Sequence, residues 1–452
     1  MSLLQIAWRN FKHRALSSIL TTLSLALGVM LVVLVLAVYG IVTDAFRRNS
    51  AVSYNIVVGP KGSPLQLTLN SVYYLSQPIE NLPYTEYMEF MTRAERAEVI
   101  RKYGGPKSLG ERDGIYQGYV TGGFAIPLAL GDYFGEFRVV GTTPDFFNLL
   151  QHGPDIDQPF RFAEGRNFET NSAENGFFEA VVGSRVAAEQ GVKAGDIFYP
   201  THGDPEGKGH ADSFKIVGVL APTGTPNDRA TFVNMEGFYL MEGHAKPVEN
   251  VAEDFVEGET PADAEIKPLT IPQREVTAIL VRNGGLWGPQ MMNKINEGIQ
   301  SQAAAPVGEI NKLLSQIIGP LLTALMAITV ITCVVAAVGI LVSIYNSMND
   351  RRRDIAVMRA LGARREAVTG IILLESLLIA IIGGICGWVL AHAAITIASP
   401  AIEARTGVQA TFFTISSYEL YVLPFVLVLA TLAGLLPAAV AYRTDVGQNL
   451  AA

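Results

Sequence analysis

Asn346-Ser347-Met348-Asn349-Asp350-Arg351-Arg352-Arg353-Asp354-Ile355-Ala356-Val357-Met358-Arg359-Ala360-Leu361-Gly362-Ala363 stands between two segments long and apolar enough to cross a bilayer. It carries four arginines, and Arg364 and Arg365 follow directly. Positive charge gathered in a short loop marks the cytoplasmic side of a membrane protein. Ile355, Met358, Ala360 and Leu361 can share one helical face with the charges opposite, so the stretch is predicted to form a short amphipathic helix on the inner membrane surface.

The flanking runs set the topology. Upstream, the chain carries no charge from Leu313 to Asn349; downstream, a third span is expected at 368–398, and a fourth at 420–442 follows a short loop at 399–419. Near the start, residues 1–14 set Leu3, Leu4, Ile6, Ala7, Trp8 and Phe11 against Arg9, Lys12 and Arg14, a basic amphipathic stretch suited to the headgroup layer. The uncharged run 15–43 would extend about 44 Å as a helix against a hydrocarbon core of about 30 Å. A cleaved signal peptide is the rival reading, but the run is too long and no small-x-small site follows it. We therefore expect an uncleaved anchor, both termini in the cytoplasm, and first and second helices (15–43 and 313–345) that project beyond the bilayer as stalks.

Composition separates two unlike parts. The chain is 49% hydrophobic with a net charge of −8, and its mean hydropathy is +0.29. Residues 44–312 hold 23 Lys and Arg against 35 Asp and Glu, a net of −12, while the remainder has a net of +4. The acidic part reads as a soluble α+β domain inserted between the first two spans. Both cysteines, Cys333 and Cys386, fall in expected spans, so the inserted domain folds without disulfides. Lys61-Gly62-Ser63 and Gly203 to Gly209 lack the Gly-x4-Gly-Lys-Ser/Thr spacing of a phosphate loop, and no nucleophile elbow, zincin helix or paired-carboxylate motif occurs.

The loop resembles the cytoplasmic coupling helix of the MacB/FtsX/LolCE class of ABC transporter permeases, with Asp350, Arg351, Arg353, Asp354, Ile355, Arg359, Ala360, Leu361, Gly362 and Ala363 at the matching positions. Val140 to Phe147, Gly165-Arg166-Asn167-Phe168, Ala180 to Ala187 and Gly195-Asp196 resemble, in order, landmarks of the MacB-type periplasmic domain. Gly434 to Asp445 is similar to the family's closing segment, with Val446 in place of Pro. The resemblance implies a permease subunit of the bacterial cytoplasmic membrane that catalyses nothing itself. It binds no cofactor, ATP and Mg being held by two copies of a separate ATPase. Two permeases would pair in membrane lipid, and nucleotide-driven motion would pass along the stalks to export or extract a lipoprotein, peptide or amphiphile, with a periplasmic adaptor or substrate protein outside and no nucleic acid. An FtsX-like regulator of a cell-wall hydrolase is the alternative, although its outer domain is usually much smaller.

Other features are weighed against ordinary structural roles. Thr92-Arg93-Ala94-Glu95 is a capping box that opens a helix ending before Gly104-Gly105-Pro106. Gly383, Gly384 and Gly387 give the third span one face on which another helix can approach closely. Glu375, near the basic loop, reads as a group that snorkels or pairs with Arg rather than as a proton relay. Residues 242–268 read as a mobile excursion. Thr201 to Asp212 holds His202, Asp204, His210 and Asp212, with His244 further on. These types suit zinc or copper and would serve metal-related transport. The Gly and Pro content and the absence of ligand spacing favour a solvated mobile loop.

Overall fold

The computed structural model describes residues 2–443 except 14, 51–52, 154–156, 249–250, 260–265, 284–286, 351, 407–410, 414 and 416. The chain divides into two compact units, Met1–Ala45 with Ser315–Ala452, and Phe46–Leu314. Among the described residues four helices are long and apolar enough to span a membrane: Ala15–Ile41, Pro306–Asn346, Arg365–Pro400 and Glu419–Val440. A large mixed α/β domain lies between the first and the second.

In the first unit, Leu25, Val29, Val33, Ile340, Ile344, Ile372, Ala380, Val426 and Ala430 form a common buried core. Large apolar side chains such as Leu16, Ile331, Val335 and Leu432 face outward. That arrangement suits hydrocarbon as the surrounding solvent, where apolar surface carries no penalty and every backbone group is satisfied inside its own helix. The second spanning segment is not one regular helix. Helix Pro306–Leu313 passes through a π turn, Leu314–Ile318, into helix Gly319–Asp350. Helix Val422–Arg443 runs through Pro437, as spanning helices tolerate.

The inserted domain is built on an eleven-stranded sheet among the described residues. From one edge its main path runs Ile197–Phe198, Phe214–Leu220, Glu179–Val182, Ala230–Asn234, Phe137–Thr142, Phe124–Phe134, Ala278–Arg282, Ile56–Pro60, Ser301–Ala304. Glu179–Val182 pairs in parallel with Phe214–Leu220, and Ala230–Asn234 with Phe137–Thr142; the other pairings are antiparallel. Both faces are covered. Ile56, Val58, Val139, Ala180, Val182 and Val233 point into one core, while Val57, Val140, Val181 and Phe232 point into the other. Successive residues of a strand face opposite ways, so these strands read as continuous apolar runs rather than alternating ones. The second core is aromatic, with Phe146, Phe147 and Phe160 around Phe232.

Local signals act as their chemistry requires. Thr92 and Glu95 bond reciprocally to cap helix Arg93–Tyr103, and Gly104 ends it at φ 81°. The domain's first strand runs Ile56–Pro60, its last two residues, Gly59 and Pro60, pairing with Gln302 and Ser301. The acidic excursion after residue 242 is not structureless, since Phe255–Glu257 pairs with Gly104–Pro106.

Candidate functional site

Helix Arg352–Ala360 follows the second spanning helix. Of the expected coupling residues, Arg351 lies outside the described residues, as do the side chains of Asp350, Arg353, Asp354 and Ile355. Ala356 is buried and Met358 packs against the core of the spanning helices. Val357, Ala360 and Leu361 are exposed, Leu361 by 84%. The expected apolar face therefore divides: Met358 turns inward, and Leu361 protrudes beside Ala360. The helix end is closed by two backbone bonds, Gly362 N to Arg359 O at 3.1 Å and Ala363 N to Met358 O at 3.0 Å, around Gly362 at φ 99°. This is a Schellman cap, and its left-handed position favours glycine.

The glycines of the third spanning helix meet two partners. A Cβ at Gly383 would lie 3.0 Å from Leu25 Cδ2 and 3.2 Å from Thr22 O, and one at Gly387 would collide with Ala26 O and stand 2.8 Å from Val29 Cβ. Gly384 faces the fourth helix at Leu423. Glu375 is buried within this unit. A second acid went unnoticed in the sequence: Glu419 Oε2 lies 2.9 Å from His392 Nε2 and accepts a 3.2 Å bond from Trp388 Nε1, with both His392 and Glu419 buried. A histidine in one apolar run and a carboxylate at the start of the next were the available signal.

In the inserted domain, Asp132, His202, His210 and His244 bring one ligand atom each within 4.8 Å of one another. Asp132 is the one charge in strand Phe124–Phe134, FAIPLALGDYF. An extra residue between Leu130 and Tyr133 shifts the register against Phe137–Thr142. Such bulges re-aim side chains. The two-residue strand Thr201–His202 pairs with the same strand just beyond, placing His202 directly opposite Asp132. The segment folds back on itself, with a Thr201 to Gly209 bridge and a 2.9 Å bond from His210 N to Pro200 O. His244 sits after helix Met235–Leu240, behind Gly243 at φ 91°, and its ring meets Phe238 at 4.4 Å.

His202 Nδ1 lies 3.3 Å from Asp132 Oδ1, and His210 Nε2 and His244 Nε2 each lie 3.1 Å from Asp132 Oδ2. The Asp132 side chain is fully buried, those of His210 and His244 are 5% and 8% exposed, and that of His202 is 56% exposed. Close as they are, both Asp132 oxygens and the Nε2 atoms of His210 and His244 lack a hydrogen-bond partner. Burial pushes the His210 imidazole below its ordinary value; Asp132 opposes this, and the His244 and His202 rings add to it. The loop expected to be mobile is thus a hairpin against the sheet, because its backbone finds partners on the strand that carries Asp132. Asp204 takes no part in the group: its Oδ1 accepts from Glu206 N at 2.9 Å within the turn. Asp212 is likewise outside it.

Comparison with known proteins agrees with this architecture. Residues 18–265 match the MacB-like periplasmic core domain, and residues 326–446 match the FtsX-like permease C-terminal family. An uncharacterised ABC transporter permease of Methanocaldococcus jannaschii is 21% identical over 395 residues, covering 86% of this chain and 82% of that protein. The macrolide export ATP-binding/permease protein MacB of Rhodopirellula baltica is 25% identical over 144 residues, covering 32% of this chain and 19% of that longer protein.

Proposed function

Since the chain belongs to the MacB/FtsX-type ABC transporter permeases, we propose that it is the mechanical membrane half of an ATP-driven complex, carrying motion from a cytoplasmic ATPase to the inserted domain. The family implies an ATPase partner, and the chain itself is a transporter membrane subunit rather than an enzyme. The observation that carries the proposal is the short helix Arg352–Ala360 between the second and third spanning helices, with Leu361 protruding at its Schellman-capped end. An apolar side chain exposed beside basic ones can seat in a groove on a partner, where its burial contributes about 1.5–3 kcal/mol.

In this reading two copies of the chain pair in a cytoplasmic membrane with their termini inside, and two ATPases bind the coupling helices. The inserted domain works outside on a lipoprotein, peptide or amphiphile, alone or with an adaptor. ATP and Mg act only on the ATPase. Co-expression with a candidate ATPase tests the docking. Wild type is expected to retain the ATPase through purification, while Leu361→Asp and Arg359→Glu weaken retention at least tenfold, about 1.4 kcal/mol. Retention equal to wild type by both variants would contradict the docking role.

A further inference from the structure

We propose that Asp132, His202, His210 and His244 form a binding site for a divalent first-row transition ion, with zinc the best fit to its ligands and spacing. This inference rests on the inserted domain alone and does not depend on the ATPase partner.

Three imidazoles and a carboxylate are ligands that zinc accepts, at about 2.0–2.2 Å. A tetrahedron with bonds of that length has edges of about 3.3–3.6 Å. The gaps from His210 Nε2 and His244 Nε2 to Asp132 Oδ2, 3.1 Å each, lie near those edges, while His202 Nδ1 stands 3.3 Å from the other oxygen, Oδ1, and all four ligand atoms fall within 4.8 Å of one another. A plain His–Asp network is the competing explanation, but it would align N–H groups on the carboxylate. Four of these buried atoms have no such bond. Buried polar atoms without partners carry a desolvation cost that a native structure normally offsets. A cation held by the three imidazoles and one Asp132 oxygen satisfies three of the four at once.

The rest of the geometry agrees. Three separate segments supply the ligands: the bulged strand, the Thr201–Gly209 hairpin and the turn at Gly243. Four protein ligands make a closed site of the structural kind. His202, at the exposed rim, gives an ion its route from solvent. An ion bound there fastens hairpin and turn to the sheet, making metal a ligand of the inserted domain.

The test uses full-length protein without a polyhistidine tag, in lipid discs, titrated with zinc against a chromophoric chelator. One equivalent per chain is expected to bind more tightly than micromolar. Changes to residues that only support metal ligands typically cost about 10–100-fold in affinity. Asp132→Asn, His210→Gln and His244→Gln, which remove ligands, are expected to cost at least that much. His202→Gln should cost less, because water can take the rim position, and Asp212→Asn should leave affinity unchanged. On binding, amide exchange should slow across residues 200–212 and 241–245 in wild type only. Should the variants fold poorly, X-ray absorption on zinc-loaded wild type decides, with three nitrogens and one oxygen expected at about 2.0–2.2 Å. Binding no tighter than micromolar, affinity indifferent to the three buried ligands, or a sulfur-containing or all-oxygen shell would overturn the proposal.

Discussion

Glu179 enters strand Glu179–Val182 with its side chain fully buried, where the Arg166 guanidinium grips it at 2.9 and 2.7 Å. Asn175 Nδ2 donates to it at 2.9 Å and the Glu169 amide at 3.0 Å. Burial pushes the carboxyl up, but the bonds from Arg166, Asn175 and Glu169 outweigh it and lower it from 4.5 to about 2. A carboxyl held low in the folded state stabilises the fold above its unfolded value and loses that contribution as pH falls through the folded one. Glu179 is expected to contribute on the order of 3 kcal/mol at neutral pH, lost between about pH 4.5 and 2. Comparing the acid unfolding of wild type with Glu179→Gln checks this: the variant should be less stable at pH 7 and depend less on pH in that window. The landmark Gly165-Arg166-Asn167-Phe168 is explained at the same scale, because Arg166 holds Glu179 and Phe168 fills the aromatic core. Asp132 shows the limit of such reading. His202 and His210 were visible as a close pair, but their carboxylate partner lies about 70 residues earlier and is brought round by a bulge, which leaves no local pattern.

Among elements, the spanning helices were the most legible, because a long charge-free run has few alternatives in a chain of this hydropathy. The glycines of the third helix were legible as a packing face, but not which helix they meet. Gly383 and Gly387 admit the first helix at Thr22 to Met30, and Gly384 faces the fourth. Close backbone approach through small residues is a main source of helix association in lipid. Gly387→Ala must push Ala26 away and is expected to cost about 1–3 kcal/mol, typical of overpacking, whereas Gly384→Ala, whose nearest atom would be 3.4 Å away, should be nearly neutral. Thermal melting of the two variants in detergent micelles checks the contrast. The π turn at Leu314–Ile318 had no sequence signal, since its residues are ordinary helix formers. The hairpin at Thr201–Gly209 was obscured by its own composition. Glycine and charge there serve tight turns rather than mobility, with Gly203 at φ 78° and Asp204 bonded within the loop.

At the scale of the molecule, a domain of net −12 is inserted into a membrane part of net +4. This division between soluble and lipid-embedded halves was plain from charge alone. Among the described residues the domain and the helices are packed on separate cores; in the proposed function, motion that enters at helix Arg352–Ala360 reaches the domain along the helices that join them. Pulsed electron spin resonance tests this most directly. A spin label is placed on Ile299→Cys, a position 95% exposed, in a background with Cys333→Ala and Cys386→Ala, and distances between paired copies are recorded in lipid discs with the ATPase. Trapping ATP is predicted to shift the distance distribution in wild type and to leave it unmoved in Leu361→Asp. A complex that hydrolyses ATP while the distribution stays fixed, or in which no paired copies are detected, would contradict the account.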